Sequence, residues 1–152
     1  MIYLDNAATT KTAPEVVDAM LPYFSEYFGN PSSIYALGAS SKKAINQARR
    51  TIAESLGAKA EEIYFTAGGS EADNWALKAA AESYGGVGGH IITTKIEHPA
   101  ILNTCHYLEE RGYTVTYLDV DGEGLVSPQT VEQAIRPDTF LISIMMANKE
   151  IG

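Results

Sequence analysis

Apolar positions in the first third of the chain recur at helical spacing. They begin at Pro14, where a first helical turn tolerates proline, and continue to Phe28, with a bend predicted at Pro22. A second helix is predicted after Gly38 and ends at Gly57, a residue type that commonly closes helices. Its predicted buried face consists of Ala44, Ile45, Ala48, Ile52 and Leu56.

The pattern then changes to short β-branched or aromatic runs that alternate with helices. Strands are predicted at 2–4, 63–66, 91–94, 114–118 and 140–144, helices at 70–84, 99–111 and 128–135, and a glycine-rich turn at 85–89. Such alternation indicates an α/β fold with a mainly parallel sheet flanked by helices. Only eight residues follow Ile144, fewer than a crossover to another parallel strand needs, so we expect a truncated sheet.

Composition excludes several classes of function. The 19 acidic and 11 basic residues give a formal charge of −8, which leaves no basic stripe for nucleic acid or an anionic membrane surface. The single cysteine, Cys105, excludes an internal disulfide, and no metal site is predicted. Because no apolar run is long enough to span a bilayer and no secretory signal is visible at the start, a cytoplasmic location is expected.

Gly68-Gly69-Ser70 stands between a predicted strand and a predicted helix. The glycines let a ligand approach the backbone, and the free N–H groups of a helix start favour an anion such as phosphate. The alternative is an ordinary helix cap, in which Ser70 and Asp73 satisfy the helix terminus without any ligand.

His98 lies at the end of the next strand and precedes Pro99, which keeps its backbone out of the helical region. A histidine there can stack on a planar cofactor and exchange protons, or it can simply cap the helix. His90 and His106 are interpreted as structural, and Cys105 as a buried apolar residue. Because carboxyl ends of parallel strands meet at one sheet edge, Ser70 and His98 are expected to lie together.

Five ordered motifs resemble those of the NifS/IscS-type cysteine desulfurases, which are pyridoxal 5'-phosphate enzymes of fold type I. They are YLDNAATT at 3–10, FGNPSS at 28–33, FTAGGSEADN at 65–74, EHPAI at 97–101 and MMANKEIG at 145–152. The resemblance runs along the whole chain. It implies a partial fold type I transferase of the aminotransferase class V family that converts L-cysteine to L-alanine and passes the sulfur to a thiol as persulfide for iron–sulfur cluster assembly.

The resemblance also implies roles for individual residues. Gly69 and Ser70 match the pair that holds the cofactor phosphate, and His98 matches the catalytic histidine that stacks on the ring and helps to move protons. The segment from Asn6 through Ala7 and Ala8 to Thr9 matches a loop near the substrate entrance. Lys149 stands where the family has an asparagine beside the phenolic oxygen, so a cation replaces a planar amide at that position.

Three segments follow from the resemblance: 1–14 as N-terminal strand and active-site loop, 15–57 as helical segment of the small domain, and 58–152 as the first part of the cofactor-binding domain. In relatives the Schiff-base lysine and the persulfide cysteine lie beyond the position of Gly152, so the isolated chain is expected to be inactive. The alternatives are half of a split enzyme or a non-catalytic fragment, and, within the superfamily, a selenocysteine lyase or an aminotransferase. A sulfur-acceptor or iron–sulfur scaffold protein and a homodimer, or self-association through an exposed sheet edge, are the expected partners.

Overall fold

The structure is a computed structural model that describes residues 2–85 and 88–151. It divides into two compact units, Met1–Phe65 and Thr66–Gly152, which are described separately. The glycine-rich turn predicted at 85–89 lies partly outside the described residues. Within the described residues, no helix combines the length and the hydropathy that crossing a bilayer requires.

The first unit is helical. Its elements are α1 (Pro14–Met20), α2 (Pro22–Ser25), α3 (Ala36–Leu56) and a 3-10 turn at Ala60–Glu62. The break that the sequence predicts at Pro22 is confirmed, because α1 ends at Met20 and Pro22 opens α2. The end of α3 at Gly57 is confirmed too, since Gly57 adopts the left-handed conformation with φ 66°.

Helix α3 begins before Gly38, not after it, so Gly38 lies inside the first turn and is buried. A Cβ atom there would come within 2.5 Å of the Asn30 carbonyl oxygen and 2.7 Å of the Ser33 carbonyl oxygen. Glycine at this position therefore allows the loop before α3 to pack directly on the helix backbone.

The apolar face predicted for α3 is not buried within this chain. Ile45, Ile52 and Leu56 are exposed, and the buried positions of the helix are Gly38, Ser41 and Ala53 instead. Ser41 is held by its hydroxyl, which donates to the Tyr27 carbonyl oxygen at 3.1 Å.

Two predicted strands, 2–4 and 63–66, are wrong. Both segments lack regular strand structure in the described chain, and their apolar side chains are exposed, with Ile2 at 87%, Leu4 at 85% and Tyr64 at 67%. A β-branched or aromatic run becomes a strand only when a neighbouring strand accepts and donates its backbone hydrogen bonds.

The second unit contains the predicted parallel sheet. Its elements are α4 (Gly69–Ala80), a π turn (Ala81–Gly85), β1 (His90–Thr94), α5 (Pro99–Glu109), β2 (Thr114–Leu118), α6 (Pro128–Ala134) and β3 (Thr139–Ile142). The strand order is β2-β1-β3 and both pairings are parallel. Strand β3 ends two residues earlier than predicted, and α4 gives way to the π turn four residues before the predicted end of the helix.

The core of this unit lies between β1 and the helices α4 and α5. It consists of Leu77, Ala81, Ile91, Ile101, Cys105 and Leu108. Burial, assisted by the nearby carboxylates of Glu109 and Glu97, raises the pKa of the Cys105 thiol to about 11. The interpretation of Cys105 as a buried apolar residue is confirmed, because a thiol with this pKa stays protonated at neutral pH.

His90 connects all three strands and is fully buried. Its Nδ1 atom lies 2.7 Å from Thr139 Oγ1 and its Nε2 atom 2.8 Å from Thr116 Oγ1. Thr139 Oγ1 also accepts from the Arg136 N–H at 2.8 Å, and each ring nitrogen of His90 has a hydroxyl group that can donate or accept. His90 is thus a structural residue, as predicted, and the site accommodates a neutral ring.

The hydroxyl of Thr93 is a buried polar group without a hydrogen-bond partner among the described residues. We expect Thr93→Val to raise the free energy of unfolding by about 1 kcal/mol, because the methyl group keeps the shape and removes the desolvation penalty. Urea unfolding measures the effect. The control is Thr104→Val, since the buried Thr104 hydroxyl donates to the Ala100 carbonyl oxygen at 2.7 Å, and no gain is expected there. A loss of stability in Thr93→Val would contradict the assignment.

The stability of this unit is expected to fall on mild acidification. Burial, and secondarily the Arg136 guanidinium, lower the pKa of His90, while Asp138 opposes the shift. The unfolded chain, with a histidine pKa of about 6.5, takes up the proton first. The contribution of His90 is therefore complete above about pH 6.5 and is lost as the pH falls through the lower folded-state value.

Urea unfolding between pH 7.5 and pH 5 tests this expectation. The slope contributed by one proton is at most about 1.4 kcal/mol per pH unit. His90→Gln, which does not titrate, is expected to flatten the profile in this range. An unchanged slope in that variant would show that another group causes it.

Candidate functional site

A cleft between α4 and α5 brings Ser70 and His98 together. It has a volume of about 450 Å³, and all residues that line it belong to the second unit. Among them are Ser70, Asn74 and Lys78 from α4, and His98, Asn103 and Tyr107 from the turn before α5 and from α5 itself. Ser70 and His98 therefore lie together, as predicted, although the segment before Ser70 is not a strand of the described sheet.

The start of α4 carries no side-chain cap. Gly68 is the N-cap residue in extended conformation, and Ser70 lies inside the first turn. The alternative in which Ser70 caps the helix is thus wrong, since a capping hydroxyl must come from the residue before the first turn. The preceding loop is instead held by Glu71, whose Oε2 atom accepts from the Ala67 N–H at 2.6 Å.

The space in front of this helix end fits an anion. A Cβ atom built on Gly68 or Gly69 would meet nothing within 4 Å, so the two glycines leave the helix start open. The uncapped N–H groups of a twelve-residue helix and the Ser70 hydroxyl are all donors on the electropositive end of the helix. This set of donors fits a phosphate monoester.

His98 is the N-cap residue of α5, in extended conformation with φ −60° and ψ 146°. The effect predicted for Pro99 on its backbone is confirmed. Its Nδ1 atom accepts from the Ala100 N–H at 3.1 Å, so the neutral ring carries its proton on Nε2. The exposed ring therefore caps the helix with one nitrogen and presents the other as a donor.

The cleft has a cationic end that the sequence motifs did not predict. The Lys78 ammonium lies 4.5 Å from the centre of the Tyr107 ring, and the Arg111 guanidinium lies 3.4 Å from it. Ser70, Asn74 and Lys78 are spaced four residues apart and share one face of α4. That spacing in the sequence could have indicated a shared polar face on α4. The position of Tyr107 opposite Lys78 could not be predicted, because it depends on how α4 packs on α5.

Lys149 lies outside this cleft, in the segment that follows β3 beyond the carboxyl ends of the strands. Its ammonium is half exposed and lies 3.9 Å from Glu150 Oε1. The backbone beside it is anchored by Asn148, whose Nδ2 atom donates to the Ile96 carbonyl oxygen at 2.8 Å. The predicted cofactor contact of Lys149 remains a prediction.

The segment Asn6–Thr9 belongs to the first unit and forms an exposed turn. The Ala8 N–H donates to the Asp5 carbonyl oxygen at 3.1 Å, and the Tyr3 hydroxyl lies 2.7 Å from Thr9 Oγ1. These contacts define a compact local loop. The predicted role of this loop at a substrate entrance remains a prediction.

The family model for aminotransferase class V matches residues 2–152. The chain belongs to the aminotransferase class V family. Pyridoxal 5'-phosphate is the cofactor of this family, and the open start of α4 beside an aromatic nitrogen donor fits a phosphorylated ring.

Relatives of this class V chain are similar along its whole length. It is 59% identical over 151 residues to the cysteine desulfurase IscS of Methanosarcina thermophila and 55% identical over 151 residues to that of Clostridium botulinum. In both comparisons 99% of this chain is covered. It spans only 37% and 38%, respectively, of the length of these relatives, in their N-terminal part.

Two solved structures agree with the fold. A NifS-like protein superimposes with a TM-score of 0.95 at 40% identity, over 99% of this chain and 41% of that protein. SspA, solved in complex with cysteine, superimposes with a TM-score of 0.92 at 47% identity, over 96% of this chain and 42% of that protein. The predicted fold class, a partial fold type I transferase with a parallel sheet, is confirmed.

We expect the cap function of His98 to be separable from the chemistry of its ring. His98→Ala should lower the free energy of unfolding by about 1 kcal/mol, because it removes the acceptor of the Ala100 N–H. His98→Asn should retain wild-type stability, since asparagine is a favourable N-cap residue. Urea unfolding measures both variants. An alanine variant as stable as the wild type would contradict the capping assignment.

Proposed function

We propose that this chain provides the phosphate-binding and ring-stacking part of a pyridoxal 5'-phosphate-dependent cysteine desulfurase. The observation that carries the proposal is the single cleft shared by Ser70 and His98. The similarity to cysteine desulfurases and to a protein solved with cysteine supports L-cysteine as the substrate. A selenocysteine lyase or an aminotransferase remains the alternative within the superfamily.

The start of α4 would hold the cofactor phosphate. The Gly69 and Ser70 N–H groups and the Ser70 hydroxyl supply short, directional donors, and the helix dipole adds favourable electrostatics. Lys78, at the other end of the α4 face, keeps the cleft cationic in a chain whose formal charge is −8. A cation at this end of the cleft favours an anionic ligand.

His98 and Lys149 would contact the pyridine ring of the cofactor and its phenolic oxygen, respectively. His98 offers Nε2 as a donor and its imidazole plane for stacking, while Nδ1 keeps the ring oriented through the α5 cap. Lys149 replaces an amide by a flexible cation and would donate to the phenolic oxygen. When bound, pyridoxal 5'-phosphate supplies an electron-withdrawing ring that stabilises negative charge on the substrate carbon.

The whole reaction would yield L-alanine and transfer the sulfur to a cysteine thiol and then to an acceptor such as an iron–sulfur scaffold protein. The lysine that binds the cofactor covalently has no counterpart among the matched motifs of this chain. Alone, the chain is therefore proposed to be inactive, and a complementing polypeptide that carries this lysine would complete the site. A homodimer is the proposed assembly. The proposed place of action is the cytoplasm.

A chimera tests the proposal. In it, this chain replaces the 151 matched residues of the Methanosarcina thermophila relative, which supplies the rest of the site. We expect the chimera to release L-alanine from L-cysteine. Release from selenocysteine alone would identify a selenocysteine lyase, and release from neither, also with Lys149→Asn, would reject the proposed function.

The same chimera tests the role of Ser70. Ser70→Ala should weaken binding of pyridoxal 5'-phosphate about tenfold or more, because a hydrogen bond to a charged oxygen is lost. Binding of pyridoxal, which has no phosphate, should not change. The control is Ser55→Ala, an exposed helical serine whose hydroxyl donates to the Thr51 carbonyl oxygen. Equal losses for both ligands would place the phosphate elsewhere.

A further inference from the structure

Glu97 is a buried carboxylate that the proposed chemistry does not use. Glu97 is only 6% exposed and directly precedes His98 in the chain. Burial of a carboxylate is costly unless hydrogen bonds compensate it, so its partners show what it does. Its Oε1 atom accepts two hydrogen bonds, from Thr94 Oγ1 at 2.9 Å and from the Met145 N–H at 2.8 Å.

A further hydrogen bond joins the same two segments, and its side chain comes from the segment after β3. Asn148 Nδ2 donates to the Ile96 carbonyl oxygen at 2.8 Å, and Asn148 Oδ1 accepts from the Glu150 N–H at 2.8 Å. Glu97, in the turn before α5, thus contacts the segment after β3. Asn148, in the segment after β3, contacts the turn before α5. We call this pair of contacts the brace.

The brace begins where the sheet ends. The last backbone hydrogen bond between β1 and the β3 side runs from the Ser143 N–H to the Ile92 carbonyl oxygen at 2.9 Å. Beyond it, within the described residues, Glu97 and Asn148 provide the hydrogen bonds between the two segments. The next residue after each of them is a proposed ring contact, His98 and Lys149, respectively.

We propose that Glu97 and Asn148 are positioning residues that fix the spacing between His98 and Lys149. This inference rests on the proposed function in assigning both groups to the ring, whereas the brace itself rests on the contacts alone. The carboxylate acts through the Met145 backbone and does not contact a ligand. Loss of the brace should therefore weaken contacts to the cofactor ring at His98 and Lys149 and leave phosphate binding at Ser70 unchanged.

The brace is tested first by amide hydrogen exchange in the 152-residue chain. Glu97→Ala should accelerate exchange of the Met145 N–H about tenfold or more, while the Ile92 N–H in β1 stays protected. Glu97→Gln should behave like the wild type, because its Oε1 atom still accepts both hydrogen bonds. Glu109→Ala, which removes a carboxylate from the other side of α5, is the control.

The positioning role is tested by ligand binding to the chimera. Glu97→Ala should weaken the binding of pyridoxal about tenfold and leave the binding of inorganic phosphate unchanged. Glu97→Gln should bind pyridoxal as the wild type does. Asn148→Asp is a second variant, since it loses the donor to the Ile96 carbonyl oxygen but keeps the acceptor for the Glu150 N–H. The same selective loss is expected there.

Each outcome is decisive. Unchanged Met145 exchange in both Glu97→Ala and Asn148→Asp would overturn the brace. Equal acceleration at Met145 and Ile92, or equal loss of pyridoxal and phosphate, would overturn the positioning role and leave a general contribution to folding. If the unmodified chimera binds neither ligand, the proposed function fails, and the exchange data still decide whether the brace exists.

Discussion

The central position of strand β1 determines where the candidate groups lie. The strand is fully buried, pairs in parallel with β2 and β3, and packs its Ile91 face against α4 and α5. Because all three strands run in the same direction, the loops that follow them meet at one edge of the sheet.

At this edge the site is built mainly from backbone dipoles and a few side chains. The uncapped start of α4 is electropositive, and the start of α5 is capped by His98, whose ring is oriented by that contact. The contrast between the two helix starts has a physical consequence. An open N-terminus binds a ligand with its own N–H groups, whereas a capped one uses those groups to hold a side chain in place.

The sequence predicted structure correctly where the chemistry is local. Pro22, Gly57 and Pro99 act on their own backbone, so their effects were predictable, and the parallel sheet followed from the alternation of strands and helices. It failed where a distant partner decides. The run at 63–66 has strand composition, yet the described chain forms no strand there, and Ser70 lies two positions beyond the N-cap residue Gly68.

The remaining features depend on packing that no motif encodes. In the sequence, Glu97 is only a polar residue next to His98. The fold shows that its carboxylate accepts a hydrogen bond from the Met145 backbone across the end of the sheet. Likewise, the sequence shows that Ser70 and Lys78 share one face of α4, but only the fold shows that the Tyr107 ring on α5 lies next to Lys78. Hydrophobic spacing predicts elements well, but the contacts between elements depend on register and crossing geometry.

The central claim is that one ligand contacts the start of α4 and the His98 turn together. The most direct measurement is a two-dimensional amide NMR titration of the chain with pyridoxal 5'-phosphate, with inorganic phosphate as the second ligand. The account predicts that pyridoxal 5'-phosphate shifts the Ser70 and Ala100 amides with one common dissociation constant, and that phosphate shifts Ser70 alone. Separate dissociation constants for the two amides with pyridoxal 5'-phosphate, or a response of only one, would contradict it.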